Sequence, residues 1–348
     1  MAKLLRNTMV AGAAAVLALV TTSAQAVDTN QLPYSSTTGV GVHNSYDKAA
    51  FTYFADALDS GAGMLELDVW TNVFGSSWRV SHDNPLGNNN NCANATSVSQ
   101  LRTNAQNRDL AGCLTDIRTW HDANPGHRPI VLKVEMKDGF LQSSGRGPAA
   151  FDALLTSKLG NALFRPADLV GSRANLDEAS QAGAWPSRAQ MAGKFIVELI
   201  PGTVEEQNPL DSLWTDKEYA TYLRDLKAAG RLGEASAFPA VHNVAAGDPR
   251  TRYTDASIRP WFVFFDGDAS AWVANGIDTA WYDQRHYFTL MTDAQNVAPA
   301  IDGTNPTEQQ ARDRLNLLAQ RNASLISADW RSLPSVLSAV VPRGTAGN

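Results

Sequence analysis

The sequence predicts an α/β fold: a closed (β/α)8 barrel of the TIM type. Three observations lead there. About eight strand-like runs alternate with helix-like runs, and such alternation means a parallel sheet covered by helices. The 348 residues contain no evident linker or internal repeat, so the units share one large domain. No glycine-rich loop follows the first strand, which weakens the open doubly wound alternative.

Each element has a local reason. Lys3 and Arg6, the apolar run 9–20 and the small-residue site Ala24-Gln25-Ala26 read as an export signal. The run is too short to span a bilayer and no stop-transfer segment follows. Residues 1–26 are therefore expected to be removed, leaving 27–348 as a single secreted catalytic domain. Residues 38–42 form a short strand. Residues 48–59 carry Phe51, Phe54, Ala55 and Leu58 at helical spacing and stop at Gly61. Residues 64–70 and 78–81 read as strands, and 113–122 as a helix stopped by Asn124-Pro125-Gly126. A strand at 129–136, a helix near 148–159 and a strand at 194–200 follow, the last ended by Pro201-Gly202. The helix 216–229 stops at Gly230. Strands at 239–242, 260–265, 286–291 and 324–327 complete the set, with a helix over 307–320 between the last two.

Composition narrows the function. A hydrophobic content of 44% suits a globular protein with a sizeable core. The net charge of −6 grows more negative once Lys3 and Arg6 are set aside. An acidic chain without basic runs is a poor nucleic-acid binder and lacks a polybasic patch for anionic membranes. The two cysteines, Cys92 and Cys113, are expected to pair in an exported protein. The bond would close a loop of roughly 20 residues, worth about 3 kcal/mol. Free thiols or a metal pair are the alternative, but no further Cys and no suitably spaced His completes a zinc set. Asn94-Ala95-Thr96 and Asn322-Ala323-Ser324 match the glycosylation pattern.

The chemistry concentrates on two strands. In Met64-Leu65-Glu66-Leu67-Asp68-Val69-Trp70, Glu66 and Asp68 share one face because strand side chains alternate. Both faces of a barrel strand are buried, so two adjacent carboxylates there cost several kcal/mol per ion unless a cation is held. Solvated acids on an edge strand are the plainer reading. The pattern recurs in Val131-Leu132-Lys133-Val134-Glu135-Met136-Lys137, where Lys133, Glu135 and Lys137 take one face. Glu135 becomes a third candidate carboxylate, and Lys137 lies nearer the rim where barrel active sites form. Lys137 otherwise serves only to pair Glu135. His43 and His82 each follow a strand, the position at which a barrel histidine reads as catalytic. His121, His127, His242 and His286 are weaker candidates; His286 begins a strand and falls at the wrong rim.

The order His43-Asn44-Ser45-Tyr46, Glu66-Leu67-Asp68-Val69-Trp70, Ser81-His82 and a strand with Glu135 resembles the calcium-dependent phosphatidylinositol phospholipases C. The resemblance implies His43 and His82 as catalytic groups and Asn44, Glu66, Asp68 and Glu135 as metal ligands. All four ligands are oxygen donors, the set for a hard cation such as Ca2+ or Mg2+, with three carboxylates favouring Ca2+. Lys137 and Glu198 are the candidates for substrate contact. Animal members carry lysines further along the strand entered at Gly193-Lys194-Phe195-Ile196-Val197. This chain has Val197-Glu198-Leu199, and an inward Glu198 would repel a ring phosphate.

The implied reaction is attack of the inositol 2-hydroxyl on its own phosphate, releasing diacylglycerol and a cyclic phosphodiester. The expected substrate is a phospholipid met in transient membrane contact, and the expected state a monomer. Glycerophosphodiester phosphodiesterases share Gly61-Ala62, Glu66, Asp68, His82-Asp83 and Glu135-Met136-Lys137, and are the alternative. A non-catalytic barrel is disfavoured because no histidine or carboxylate of the pattern is missing. A metal-independent phospholipase is disfavoured because such enzymes put an arginine where this chain keeps acids.

Overall fold

The computed structural model describes residues 27–72, 75–274 and 276–344. The expected export signal lies outside them.

Ten strands form one sheet: β1 (Thr37–Val42), β2 (Met64–Trp70), β3 (Arg79–Val80), β4 (Ile130–Met136), β5 (Phe195–Pro201), β6 (Ala237–His242), β7 (Phe264–Asp268), β8 (Phe288–Thr292), β9 (Leu325–Ala328) and β10 (Val340–Pro342). Eight of them, all but β3 and β10, are parallel to their neighbours, and β1 pairs both β2 and β9 to close the barrel. The seam is tight: a Cβ on Gly41 would lie 2.7 Å from the Met64 Cβ, so only glycine lets β1 meet β2 there. β10 caps the lower part of β1 in antiparallel pairing.

The helices Phe54–Asp59, Leu110–Ala123, Pro148–Leu159, Thr215–Ala228 and Glu308–Gln320 cover the outside. The last begins with a capping box in which Thr307 and Gln310 satisfy each other's backbone N–H groups. One strand boundary is corrected. Between β6 and β7 the chain forms 3-10 turns, Pro249–Arg252 and Arg259–Trp261. Of residues 260–263, expected as the start of a strand, Pro260 and Trp261 belong to the second of these turns, and β7 begins later, at Phe264. Proline at the first position of one turn, Pro249, and at the second of the other, Pro260, favours that outcome.

Cross-strand partners in register share a face, so the barrel interior can be read in layers. Phe238, Phe264 and Phe288, joined by Trp185, stack at the N-terminal end of the strands with centroids 4.8–6.4 Å apart. Above this plug the interior becomes charged: Glu66, Lys133, Glu198 and Asp266 follow one another around β2, β4, β5 and β7, each nearly inaccessible to solvent. The apolar plug anchors the barrel and leaves its other end for chemistry.

Candidate active site

Glu66 and Asp68 rise from β2 on one face, and Asp68 stands directly across from Glu135 on β4. One oxygen from each of the three carboxylates lies within 4.8 Å of the others. Glu66 and Asp68 are buried, and Glu135 is more open toward the mouth. Both Asp68 side-chain oxygens are buried without a well-formed hydrogen bond. Burial, then repulsion from Glu66 and Glu135, pushes the Asp68 carboxyl up to about 7, against the pull of Lys137 and the Tyr46 hydroxyl. Glu66 is also buried, yet Lys133, His43 and the Asn44 N–H together hold it below the usual carboxylate range.

Two lysines stand beside the cluster. Lys133 Nζ lies 3.5 Å from Glu66 Oε1 and 3.0 Å from Asp266 Oδ2. Lys137 Nζ lies 2.8 Å from Glu135 Oε1 and 3.2 Å from Asp68 Oδ2. Burial opposes both ammonium charges, but the carboxylates outweigh it and raise both pKa values. Three convergent carboxylates, one of them unsatisfied, fit a divalent cation with oxygen ligands. The ammonium of Lys137 lies against two of the same carboxylates.

The first histidine arrives by a sharp turn. Asn44 adopts a left-handed conformation (φ 49°) just after β1, and its N–H donates to Glu66 Oε2 at 2.9 Å. The Ser45 hydroxyl donates to the Glu66 carbonyl at 2.9 Å, and the Tyr46 hydroxyl to Asn44 Oδ1 at 3.1 Å. His43 is thereby fixed with Nε2 3.6 Å from Glu66 Oε2 and Nδ1 3.8 Å from Asp329 Oδ1. Burial disfavours its charge, but Glu66 and Asp329 outweigh burial and raise its pKa to about 9.

The second histidine arrives differently from expectation. Residues 78–81 do not add a parallel barrel strand. They contain β3, which runs antiparallel to β2 and back along it. The Ser81 N–H donates to the Asp68 carbonyl at 3.1 Å, which delivers His82 beside Asp68. His82 is exposed, with Nδ1 2.7 Å from Asp83 Oδ1. The loop after it is tied to the loop after His43: Asn89 Nδ2 donates to Asp47 Oδ2 at 2.8 Å, and Lys48 Nζ to the Asn88 carbonyl at 2.5 Å. Cys92 and Cys113 form a disulfide that pins the far end of this segment to the helix Leu110–Ala123.

The turn after β5 completes the wall. A Cβ on Gly202 would lie 2.5 Å from the Lys137 Cα, so glycine permits the contact. The Gly202 N–H donates to the Met136 carbonyl at 2.9 Å, and the Thr203 N–H to Glu135 Oε1 at 3.2 Å. His242 ends β6 with Nδ1 2.9 Å from Glu206 Oε1, at one side of a 580 Å³ cleft beyond that turn.

The structure brings His43, Asn44, Glu66, Asp68, Glu135 and Lys137 together around one mouth and sets His82 at its edge. Glu198 is placed apart from the oxygen cluster. It is fully buried, and burial, then Asp266, raises its pKa while Lys133 lowers it. His121, His127 and His286 lie at the opposite end of the barrel, before β4 and β8. Tyr46, Asp266, Asp329 and Thr203 were not singled out from sequence. Asp266 had a signal: Phe264-Phe265-Asp266-Gly267-Asp268 alternates as β2 does. Asp329 follows its strand in a loop and Thr203 opens the short helix Thr203–Glu206, neither with any pattern that marks it.

Residues 52–220 match the family described as phosphoinositide phospholipase C, Ca2+-dependent. The chain is similar to the solved Ca2+-dependent phosphatidylinositol-specific phospholipase C of Streptomyces antibioticus, with 62% identity, a TM-score of 0.89, and coverage of 90% of this chain and 99% of that one. It shares its fold with a calcium-dependent phosphoinositol-specific phospholipase C from a Gram-negative Pseudomonas, at 22% identity, a TM-score of 0.66 and coverage of 90% and 96%. No curated protein sequence matches.

Proposed function

This chain belongs to the Ca2+-dependent phosphoinositide phospholipase C family, and we propose that it is a secreted enzyme cleaving phosphatidylinositol to diacylglycerol and a cyclic inositol phosphate. The observation that carries this reading is the buried oxygen cluster of Glu66, Asp68 and Glu135 with His43 beside it. Residues 27–348 act as one catalytic domain, working as a monomer outside the cell and touching the membrane transiently.

Glu66, Asp68 and Glu135, with the side-chain oxygen of Asn44, would hold Ca2+. Such an ion would supply positive charge against the phosphoryl oxygens and would lower the pKa of the attacking hydroxyl. His43, charged at neutral pH, donates to a phosphate oxygen as negative charge grows there. The inositol 2-hydroxyl oxygen bonds to phosphorus and its proton passes to a carboxylate of the cluster. The bond from phosphorus to the glycerol oxygen breaks, and His82 gives that oxygen a proton. Asp83, on Nδ1, orients the His82 ring. Lys137 serves the same phosphate from the other side.

The charged layer beneath the site bears on the head group. Lys133 and Lys137 are already matched to carboxylates, and Glu198 and Asp266 add negative charge below. This supports an inositol ring without further phosphates. A glycerophosphodiester reading draws on the His82–Asp83 contact, because a His-Asp pair and Glu-x-Lys strand also mark those enzymes. Comparing turnover of phosphatidylinositol and glycerophosphoinositol, with products followed by ³¹P NMR, tests the proposal. Diacylglycerol with a cyclic phosphate supports it. Selective cleavage of the soluble diester contradicts it.

A further inference from the structure

Lys133 crosses the inside of the barrel. It rises from β4, and its ammonium lies 3.0 Å from Asp266 Oδ2 on β7, three strands away, and 3.5 Å from Glu66 Oε1 on β2. The side chains of Lys133, Asp266 and Glu66 are only 6%, 1% and 4% exposed. Taking such ions out of water costs several kcal/mol each, and well-packed apolar residues in their place are often neutral or stabilising. The barrel is filled in that way at its other end, where Phe238, Phe264 and Phe288 stack. Stability alone therefore gives no reason for Lys133.

Its effect falls on Glu66, whose two carboxylate oxygens have different partners. Oε1 faces the Lys133 ammonium. Oε2 accepts from the Asn44 N–H at 2.9 Å, with His43 Nε2 at 3.6 Å from the same atom. The left-handed turn at Asn44 (φ 49°) aims that N–H, and the Ser45 hydroxyl grips the Glu66 carbonyl. The Glu66 carboxylate is thus held from both sides and its rotation is fixed. Asp68 is the contrast: its two oxygens are buried without a well-formed hydrogen bond. Glu198 faces Lys133 in register on β5, yet its oxygens accept no hydrogen bond either. The ammonium is committed to Glu66 and to Asp266, which holds it from across the barrel.

We propose that Lys133, anchored by Asp266, is a positioning residue that limits Glu66 to one oxygen on the divalent ion and so keeps a coordination position open for substrate. Ca2+ accepts about 6–8 oxygens and takes carboxylates by one oxygen or by two. A Glu66 free to rotate would offer it both. With Oε1 turned to an ammonium and Oε2 steadied by Asn44, the two-oxygen grip is denied. The position left over falls to water, and then to an oxygen of the substrate. The inference rests on the proposed ion site, and it adds the pair of residues that sets how that site is filled.

The test puts Tb3+ in place of Ca2+. It is an oxygen-seeking ion of similar size, and its luminescence lifetimes in H2O and D2O count the waters on the metal. Lys133→Met/Asp266→Leu removes one charge of each sign, so the net charge of the barrel is unchanged. Lys133→Met/Asp266→Asn serves where leucine does not pack. In the folded double variant Tb3+ should carry about one water fewer than in wild type, because Glu66 now gives its second oxygen. Turnover of phosphatidylinositol at saturating Ca2+ should fall about ten-fold, since a substrate oxygen must displace that second oxygen. A pair that only supports the fold, or acts only through its field, leaves the water count alone. An unchanged count in the folded double variant, with Tb3+ bound, would therefore overturn the role of Lys133 and spare the ion site. A wild type that binds no Tb3+ would overturn the ion site itself, and this inference with it.

Discussion

Lys137 holds its ammonium 3.2 Å from Asp68 Oδ2, between two of the three carboxylates that would grip a divalent ion. The lysine and the ion therefore compete for the same negative charge. Lys137→Met should tighten Ca2+ binding at pH 8 by about ten-fold, since a nearby like charge is removed, and should lower turnover because the phosphate loses a partner. Calorimetric titration beside a rate assay separates the two effects. Weaker Ca2+ binding in the variant would show that Lys137 organises the carboxylates rather than opposing the ion.

His43 and His82 reach the mouth on loops tied to each other, and hard cations prefer oxygen to imidazole. His43→Ala and His82→Ala should each cost roughly 10²–10⁴-fold in turnover while Ca2+ binding persists. A substrate with a nitrophenyl leaving group needs no proton, so it should rescue His82→Ala more than His43→Ala. Equal rescue would refute the division of roles. Full activity of either variant would refute the site.

The barrel was legible because its strands are apolar runs bounded by clear stops. Met64–Trp70 reads the same in sequence and structure, and Thr307 with Gln310 marks its helix start openly. The carboxylate pair was legible because alternation puts Glu66 and Asp68 on one face. What escaped was set by tertiary context. β3 runs antiparallel to β2 and the loop after it is tied to Asp47 and Lys48, neither of which a local pattern announces. Asp329 and Thr203 enter the site only because strand ends converge there, and the role of Lys133 depends on Asp266 three strands away.

At the other end of the barrel, His121 Nδ1 lies 3.0 Å from His127 Nε2, and His127 packs between Trp120 and Phe195. Burial lowers the His127 pKa to about 4, with His121 and Arg128 adding repulsion, although its contact with the Arg128 carbonyl opposes the shift. Burial, then Arg118, lowers that of His121, with Lys194 adding to the shift and Asp122 opposing it. A histidine depressed in the fold binds its proton more readily when unfolded, so its contribution is intact above about pH 6.5. It is lost as pH falls from there toward 4. The melting temperature of the wild type should thus fall more steeply between pH 7 and 4.5 than that of His127→Gln. Parallel slopes would contradict the assignment.

The Cys92–Cys113 disulfide pins the end of the loop after His82, directly beyond Asn90 and Asn91, whose side chains donate to the Val80 carbonyl on β3 and to the Ser45 carbonyl after His43. Three residues beyond Cys113, Asp116 accepts from the Ala93 and Ala95 N–H groups. Replacing both cysteines by alanine should cost about 3 kcal/mol in chemical denaturation, and should lower turnover through the displaced His82 loop. Unchanged stability would mean that Asp116 and the asparagines hold the loop unaided.

The most direct test is the rate of diacylglycerol release from phosphatidylinositol in mixed micelles, measured in EDTA and after Ca2+ is restored. Wild type should be inactive in chelator and recover with Ca2+ more than with Zn2+. Asp68→Asn should stay folded yet need far more Ca2+, because the carboxylate of the cluster whose two buried oxygens lack hydrogen bonds has been neutralised. Full release in EDTA, or an Asp68→Asn protein with wild-type Ca2+ dependence, would contradict the account.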